Sequence, residues 1–281
     1  MSIELNTFEN LELFKERERS FLYNKEIING LMIGLLERLE HDLEINYMAE
    51  IVKDGEPIVV ILQTHPKQAI FAYADEIKSK DLKEAARLIV NDYPELPGVI
   101  GERDITLELG AYIARLRDRD SVIAMKQRIY RLDQVEQPAD FSGATFKKVS
   151  MEDNDLVADF ICDFFIVAGE EINKEEALKK AKQNIESGYL YGWYVDDKLV
   201  SICNSSRKTK TARTVSLVYT PKEERKKGYA SNQVAAFSQL LLDEGNQTCV
   251  LYTDLKNKTS NKIYQAIGYK PVCDSILIHL K

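Results

Sequence analysis

The sequence predicts an α/β fold in which a mixed sheet flanked by helices is built twice over. Two observations carry this reading. YMAEIVKDGEPIVVILQ in the first half and LYGWYVDDKLVSICNSS in the second both run strand, acidic turn, strand, and each is followed by one more strand and a helix. Between the halves, Asp133 to Gly143 (DQVEQPADFSG) is polar, lacks an apolar period and contains a Pro and a Gly, as a linker does. A length of 281 residues suits two domains of roughly 140 residues each. The expected division is 1–135 and 136–281, a tandem duplication of one α/β unit.

In the first half, Ile28, Leu31, Met32, Leu35, Leu36 and Leu39 recur at helical spacing and predict one amphipathic helix from about Asn24 to His41. Strands follow at Tyr47 to Val52 and Ile58 to Gln63. They are joined by Lys53-Asp54-Gly55-Glu56, and Asp-Gly between apolar runs is a strong hairpin signal. A third strand runs from Ala69 to Ala74. Helices at about Lys80 to Val90 and Asp104 to Leu116 are separated by the breaker Pro94-Glu95-Leu96-Pro97-Gly98, and a last strand lies within Ser121 to Leu132.

The second half repeats the plan. A strand at about Ala144 to Val149 leads to a helix from about Glu152 to Phe165, signalled by Ser150-Met151-Glu152-Asp153. Another helix covers about Lys174 to Ser187. Strands at Tyr189 to Val195 and Leu199 to Ser205 flank the turn Asp196-Asp197, and a third strand covers Thr211 to Tyr219. Helix, strand, helix and strand then alternate to Lys281.

Composition excludes several functions. Lys plus Arg is 38 and Asp plus Glu is 45, giving a net charge of −7, so no general basic footprint for nucleic acid exists. No run approaches the ~20 apolar residues of a membrane helix, and Met1-Ser2-Ile3-Glu4-Leu5 has no features of a secretion signal. Cys162, Cys203, Cys249 and Cys273 form no CxxC pair and read as reduced core thiols of a cytoplasmic protein. His41, His65 and His279 are scattered, so no zinc motif is encoded and no metal is expected.

The informative segment is Val218-Tyr219-Thr220-Pro221-Lys222-Glu223-Glu224-Arg225-Lys226-Lys227-Gly228-Tyr229-Ala230. A β-branched strand ends at Thr220-Pro221. After Gly228 a helix begins, with Ala230, Val234, Phe237 and Leu241 on one stripe. The first N–H groups of a helix lack internal partners and its dipole favours negative charge, so a strand–Gly–helix junction makes an anion site. Gly228 lets backbone approach a bulky phosphate. From Arg207 to Lys227 there are eight basic and two acidic residues, +6 over 21 residues. Neither GxxxxGK[ST] nor GxGxxG occurs, so Walker and dinucleotide loops are disfavoured.

What remains, Arg-x-x-Gly-x-Ala, resembles the pyrophosphate loop of the GNAT N-acetyltransferase superfamily. VYTPKEERKKGYASNQVAAFSQLLLDEG, then CVLYTD, then LKNKTSNKIYQAIGYKPV follow the order of that family's acetyl-CoA half, over about Ala144 to Lys281. The first half looks like the degenerate N-terminal portion of two-part bacterial GNAT proteins. It has no such loop after its third strand and is not expected to bind the cofactor. The resemblance implies tandem GNAT-like domains with a mixed, mostly antiparallel sheet and splayed parallel strands at the cofactor site. It implies acetyl-CoA (coenzyme A) as cosubstrate, its pantetheine lying between Thr214–Tyr219 and Cys249–Thr253. Val218 and Tyr219 would supply backbone groups to the pantetheine and thioester, with Thr220 at the strand's end. Arg225, Lys226, Lys227, Gly228, Tyr229, Ala230 and Ser231 would hold the phosphates. Asn257 would bond the pantetheine, or else cap a turn or helix.

Tyr264 would donate a proton to the departing thiolate, which near-matched phenol and thiol pKa values allow. Ile263 and Ile267 form a buried stripe, and Tyr264 lies one position off it, toward the strand opening. The general base is open among Glu170, Glu171 and Asp254, with water as a relay. Cys249 is not expected to act as a nucleophile. The expected activity is direct acetyl transfer to a primary amine of a small-molecule or peptide acceptor, without nucleic-acid or membrane partners. The first half would contribute acceptor specificity, a lid or a homodimer surface. The alternatives are a non-catalytic CoA-binding regulatory protein of the same fold and a purely structural pair of α/β domains.

Overall fold

The computed structural model describes residues 2–38 and 44–281. Among them the chain gathers into two compact units. The first comprises Met1–Ile129, Thr253–Lys256 and Val272–Lys281, and the second comprises Tyr130–Tyr252 and Asn257–Pro271.

The first unit contains β1 (Ile3–Thr7), α1 (Leu11–Asn24), α2 (Gly30–Leu36), β2 (Tyr47–Lys53), β3 (Glu56–His65), β4 (Gln68–Tyr73), α3 (Ser79–Asp92), β5 (Gly98–Glu102) and α4 (Arg103–Leu116). Next comes β6 (Ser121–Leu132), whose last residues, Tyr130 and Leu132, lie in the second unit's core. The second unit continues with β7 (Ala144–Lys148), α5 (Asn154–Ala168), α6 (Lys174–Glu186), β8 (Leu190–Val195), β9 (Lys198–Lys208), β10 (Ala212–Tyr219), α7 (Tyr229–Asp243), β11 (Thr248–Asp254) and α8 (Lys258–Ile267). The chain closes with β12 (Lys270–Leu280), which pairs with β5 and so ends in the first unit.

In the first unit β1–β2–β3–β4 form antiparallel pairs, β4 and β5 pair in parallel, and β5 and β12 are antiparallel. The second unit has antiparallel β7–β8–β9–β10 and parallel β10–β11. The sheet is therefore mixed and mostly antiparallel, as expected.

Strand alternation builds two cores in the first unit. Ala49, Ile51, Val59, Ile61, Phe71 and Tyr73 face α3 and α4, while Met48, Val60, Leu62 and Ala72 face α1 and α2. The hairpin turns are where the sequence put them. Asp54 and Gly55 have φ of 53° and 89°, and Asp196 and Asp197 have φ of 48° and 60°, the left-handed pair that a tight hairpin needs.

Four features differ from the sequence reading. Of the helix expected from Asn24 to His41, the described residues hold only α2 (Gly30–Leu36), preceded by turns at 25–29 where α1 has already ended, and the expected end lies outside them. The Asn29 amide donates to the Leu22 carbonyl at 2.9 Å, closing α1 so that α2 restarts at Gly30. The edge strand β1 and the five-residue β5 were not foreseen, since both are too short to show a period. Asn154, after a 3₁₀ turn, begins α5, and Ser150 makes no side-chain cap. A capping box does occur at α6, where Asn173 accepts the Glu176 N–H at 2.8 Å.

Glu18 on α1 is fully buried, and neither carboxyl oxygen has a hydrogen-bond partner among the described residues. Burial, reinforced by the Glu50 carboxylate, pushes its pKa from 4.5 up to about 8. Between those values the folded chain holds a proton that the unfolded chain has lost. The group's contribution to stability is thus complete below about 4.5 and gone above about 8. Replacing Glu18 with Gln should flatten the fall in stability across this window by up to ~1.4 kcal/mol per pH unit. Urea unfolding at several pH values measures the slope; an unchanged slope would show that Glu18 ionises freely in the fold.

Candidate functional site

The second unit's site begins where pairing ends. Strands β10 and β11 pair in parallel at Ala212↔Thr248, Arg213↔Cys249 and Thr214↔Val250, with no rung beyond these among the described residues. Past Thr214, the described residues pair β10 with β9 and show no rung to β11.

β10 is also bulged. Ser216 pairs with Asn204 and Tyr219 with Ile202, so Leu217 and Val218 together oppose Cys203. Leu217 has φ of 47°, unusual for a side chain branched at Cγ. Such a bulge advances the side-chain phase by one residue. Val218 therefore packs toward the core shared with α7 and α8. Tyr219 turns to the α5 face, where its hydroxyl donates to Asp163 at 2.8 Å and its ring meets Phe160.

Beyond β10, residues 220–228 lead to α7. Lys226 and Gly228 have φ of 64° and 83°, and Gly228 is the N-cap, without a side-chain capping bond. Its left-handed conformation favours glycine. The Asn232 N–H bonds the Gly228 carbonyl at 3.0 Å, so the N–H groups of Tyr229, Ala230 and Ser231 precede the helical ladder and point out of its end. Lys226 is exposed. Lys227 pairs with Glu224 at 2.8 Å and Lys198 with the same carboxylate at 3.0 Å, which holds Glu224 below the usual range.

A buried polar network fixes this loop to the sheet. The Ser201 hydroxyl on β9 lies 2.9 Å from the Tyr219 carbonyl, 2.7 Å from the Thr220 hydroxyl and 2.6 Å from the Gln233 side-chain oxygen. The Gln233 amide on α7 donates to the Tyr191 and Ser201 carbonyls at 3.2 and 3.0 Å. The Arg225 guanidinium donates to the Thr220 carbonyl at 2.9 Å, closing the turn from inside. The Thr220 hydroxyl and the Arg225 Nε thus serve the loop itself.

The other expected residues fall as follows. Asn257 caps α8, accepting the Ser260 N–H at 3.0 Å. Tyr264 is buried on α8 with Ile267, while Ile263 is only half-buried. The stripe expected at Ile263 and Ile267 is therefore turned by one position, because Tyr264 packs into the core beside Tyr191, Cys203, Leu251 and Tyr269. Burial pushes its phenol up to about 12. Cys249 is buried, donates to the Ser238 carbonyl, and is pushed up to about 12 by burial, so its thiol stays protonated. Glu170 and Glu171 are exposed, and Asp254 accepts the Lys256 N–H at 2.8 Å. The +6 segment is not one patch. Arg207, Lys208, Lys210 and Arg213 lie at the hairpin end of β10, Arg213 stacking on Tyr189 at 3.7 Å, and the other basic residues lie at the far end.

Sequence reasoning missed Asp163, Ser201 and Gln233. Each is an ordinary residue in its own segment and joins the site only through long-range contacts. Among the described residues no three His, Cys, Asp or Glu side chains converge as metal ligands would, and no helix is long and apolar enough to cross a membrane.

Residues 190–276 match the family described as FR47-like protein. No curated protein matches the sequence. Among solved structures, an acetyltransferase of the GNAT family from Colwellia psychrerythraea is similar at 11% identity and a TM-score of 0.65, with 99% of each chain covered. A GCN5-related N-acetyltransferase from Sphaerobacter thermophilus gives 11% and 0.66, over 99% of this chain and 95% of that one. A tandem GNAT protein from the clavulanic acid biosynthesis pathway gives 11% and 0.59, over 99% and 98%. At these identities the likeness to solved structures is one of fold. The chain thus has the fold of these GNAT-family structures, and its residues 190–276 match the FR47-like model.

Ser201→Ala removes the hub of the buried network and strands its partners. A loss of about 1–3 kcal/mol is expected, measurable by urea unfolding; a loss under ~0.5 kcal/mol would mean that water replaces the hydroxyl at no cost.

Proposed function

We propose that the chain is an acetyl-CoA-dependent N-acetyltransferase that moves an acetyl group directly onto a primary amine. The observation that carries this reading is the opening between β10 and β11, which leads to the uncapped first turn of α7. An open strand edge suits a ligand that is an extended chain of amides. An uncapped helix end with Lys226 and Lys227 beside it suits a pyrophosphate. Both features lie on one continuous stretch, residues 215–231, and coenzyme A carries both groups on one molecule.

Coenzyme A would supply the acetyl group as an activated thioester. The protein's part is positioning and proton handling. The backbone of Leu217 and Val218, displaced by the bulge, would bond the pantetheine and polarise the thioester carbonyl. The N–H groups from Lys227 to Ser231 would hold the pyrophosphate, with Lys226 near the remaining phosphate. Asn257 would contribute only through groups not used in its cap.

Tyr264, with its phenol raised to about 12, stays protonated at any ordinary assay pH and is fit to donate to the departing sulfur. The incoming ammonium must lose a proton before it attacks. Asp163 suits that role better than Glu170, Glu171 or Asp254, because it is exposed on α5 and reaches the end of β10 through Tyr219. A net charge of −7 favours a cationic acceptor at long range. Four free cysteines suit the reducing cytoplasm.

Gly228→Asp places a side chain and a negative charge at the mouth of the helix. It should weaken acetyl-CoA binding at least tenfold by calorimetry; unaltered affinity would remove the loop from the site. Tyr264→Phe and Asp163→Asn should each lower kcat for thiol release with an amine panel by at least ~10²-fold while acetyl-CoA KM changes little. Unchanged kcat would clear that residue of a catalytic role. Binding without thiol release from any amine would instead support the non-catalytic reading.

A further inference from the structure

The parallel pair of the first unit is closed where it parts. β4 and β5 pair at Ala69↔Val99 and Ile70↔Ile100, and beyond these the buried Tyr73 ring lies against β5, its hydroxyl 3.0 Å from that of Thr106. A Cβ at Gly101 would come within 2.9 Å of that ring. In the second unit the corresponding strand, β10, ends with Tyr219 turned to α5.

On α5, Asp163, Ile166 and Val167 stand at i, i+3 and i+4 and so share one face of the helix. Ile166 is 68% exposed and Val167 65%, the two most exposed large apolar side chains among the described residues. They are not isolated, because Phe164, Phe165, Ile172 and Leu217 are half-buried at the edge of the core that α5 covers. Leu217 is the bulged residue of β10. The charge at the near end of this apolar face is unmet. Asp163 is exposed and accepts the Tyr219 hydroxyl at 2.8 Å, and no cation pairs with it among the described residues. Asp159, one turn earlier, is by contrast paired with Lys174 at 2.5 Å. The Arg225 guanidinium, 5.9 Å from the Tyr219 ring, bonds the Thr220 carbonyl. Glu170 and Glu171 follow α5, both exposed.

A primary amine arrives as an ammonium, which suits Asp163. Along the helix from that carboxylate lies one turn of apolar surface, ~5.4 Å long, the reach of a short hydrocarbon chain. A second charge or a hydroxyl-rich body placed on it would lose water without gaining a partner. A hydrocarbon body would instead take two branched side chains out of water. We propose that the acceptor is a monoamine with an apolar body, in its simplest form an alkylamine of a few carbons. Its ammonium would meet Asp163, and its body would lie on Ile166 and Val167. This inference rests on the transferase reading and adds to it the class of acceptor.

The test uses the full chain and two readouts, calorimetric binding of amines with CoA present and thiol release from acetyl-CoA. A fully buried methylene is worth about fourfold in affinity, so four partly buried ones should raise affinity and kcat/KM at least tenfold from ethylamine to hexylamine. A second ammonium on the apolar face should put 1,6-diaminohexane at least tenfold below hexylamine. Ile166→Ser combined with Val167→Ser, both at exposed positions, should cut the gain from ethylamine to hexylamine to under about threefold, and Asp163→Asn should weaken hexylamine binding at least tenfold. The proposal is overturned if no amine binds, if affinity is flat along the series, if the diamine matches hexylamine or if the double variant keeps the whole gain. It is also overturned if light scattering finds a dimer that the double variant splits, because a second copy would then cover the patch. Hexylamine binding with the expected gain but no thiol release from any amine would contradict the transferase reading and support the binding site. Thiol release from ethylamine and hexylamine at equal kcat/KM would support the transferase reading and overturn this proposal.

Discussion

One extra residue in β10 separates the two units. Both have the same element order, both have a parallel strand pair that parts after two or three rungs, and in both the diverging strand ends in a tyrosine. In β4 the register against β3 is regular from Leu62↔Ile70 to Val59↔Tyr73, so the final ring falls on the α3–α4 face and closes the gap. In β10 the bulge at Leu217 and Val218 shifts the phase, so the final ring falls on the α5 face and the gap stays open. Side chains alternate with a period of two, so a single inserted residue suffices to exchange the faces. The open edge and the placement of Tyr219 against Asp163 both descend from this bulge.

An open edge needs support, because unpaired backbone cannot brace itself. Here the support is polar and buried. Ser201 and Gln233 tie β9, the end of β10 and the first turns of α7 into one body. A satisfied network of this kind is directional, and it sets the angle at which the helix end meets the strand end. Around it, Arg225 bonds the loop carbonyl of Thr220, and Glu224 gathers Lys198 and Lys227. The basic residues of the loop thus divide their work, some holding the loop and Lys226 left facing solvent.

Much of this was legible in the sequence. The hairpins were marked by Asp54-Gly55 and Asp196-Asp197, whose chemistry permits positive φ, and the anion loop by a lone Gly228 between a strand and an apolar helical stripe. What was not legible depended on contacts between distant segments. The bulge is a mismatch of register with β9 and leaves no mark in SLVY itself. Asp163 lies 56 residues from its partner Tyr219. Ile263 reads as the better core residue, yet Tyr264 is the one buried, in the same core as Tyr191 and Leu251 and against the Tyr269 ring. The break between α1 and α2 is made by turn bonds at Lys25 and Asn29 and by the Asn29 side chain on Leu22, which periodicity does not register.

The central claim is that the bulged unit is open to a CoA thioester and the unbulged unit is not. The stoichiometry of acetyl-CoA binding to the intact chain, measured by calorimetry, tests it most directly. The account predicts one site per chain. Two sites per chain would mean that the Tyr73 ring does not close the first unit, and no site at all would mean that the opening beside Leu217 serves some other ligand.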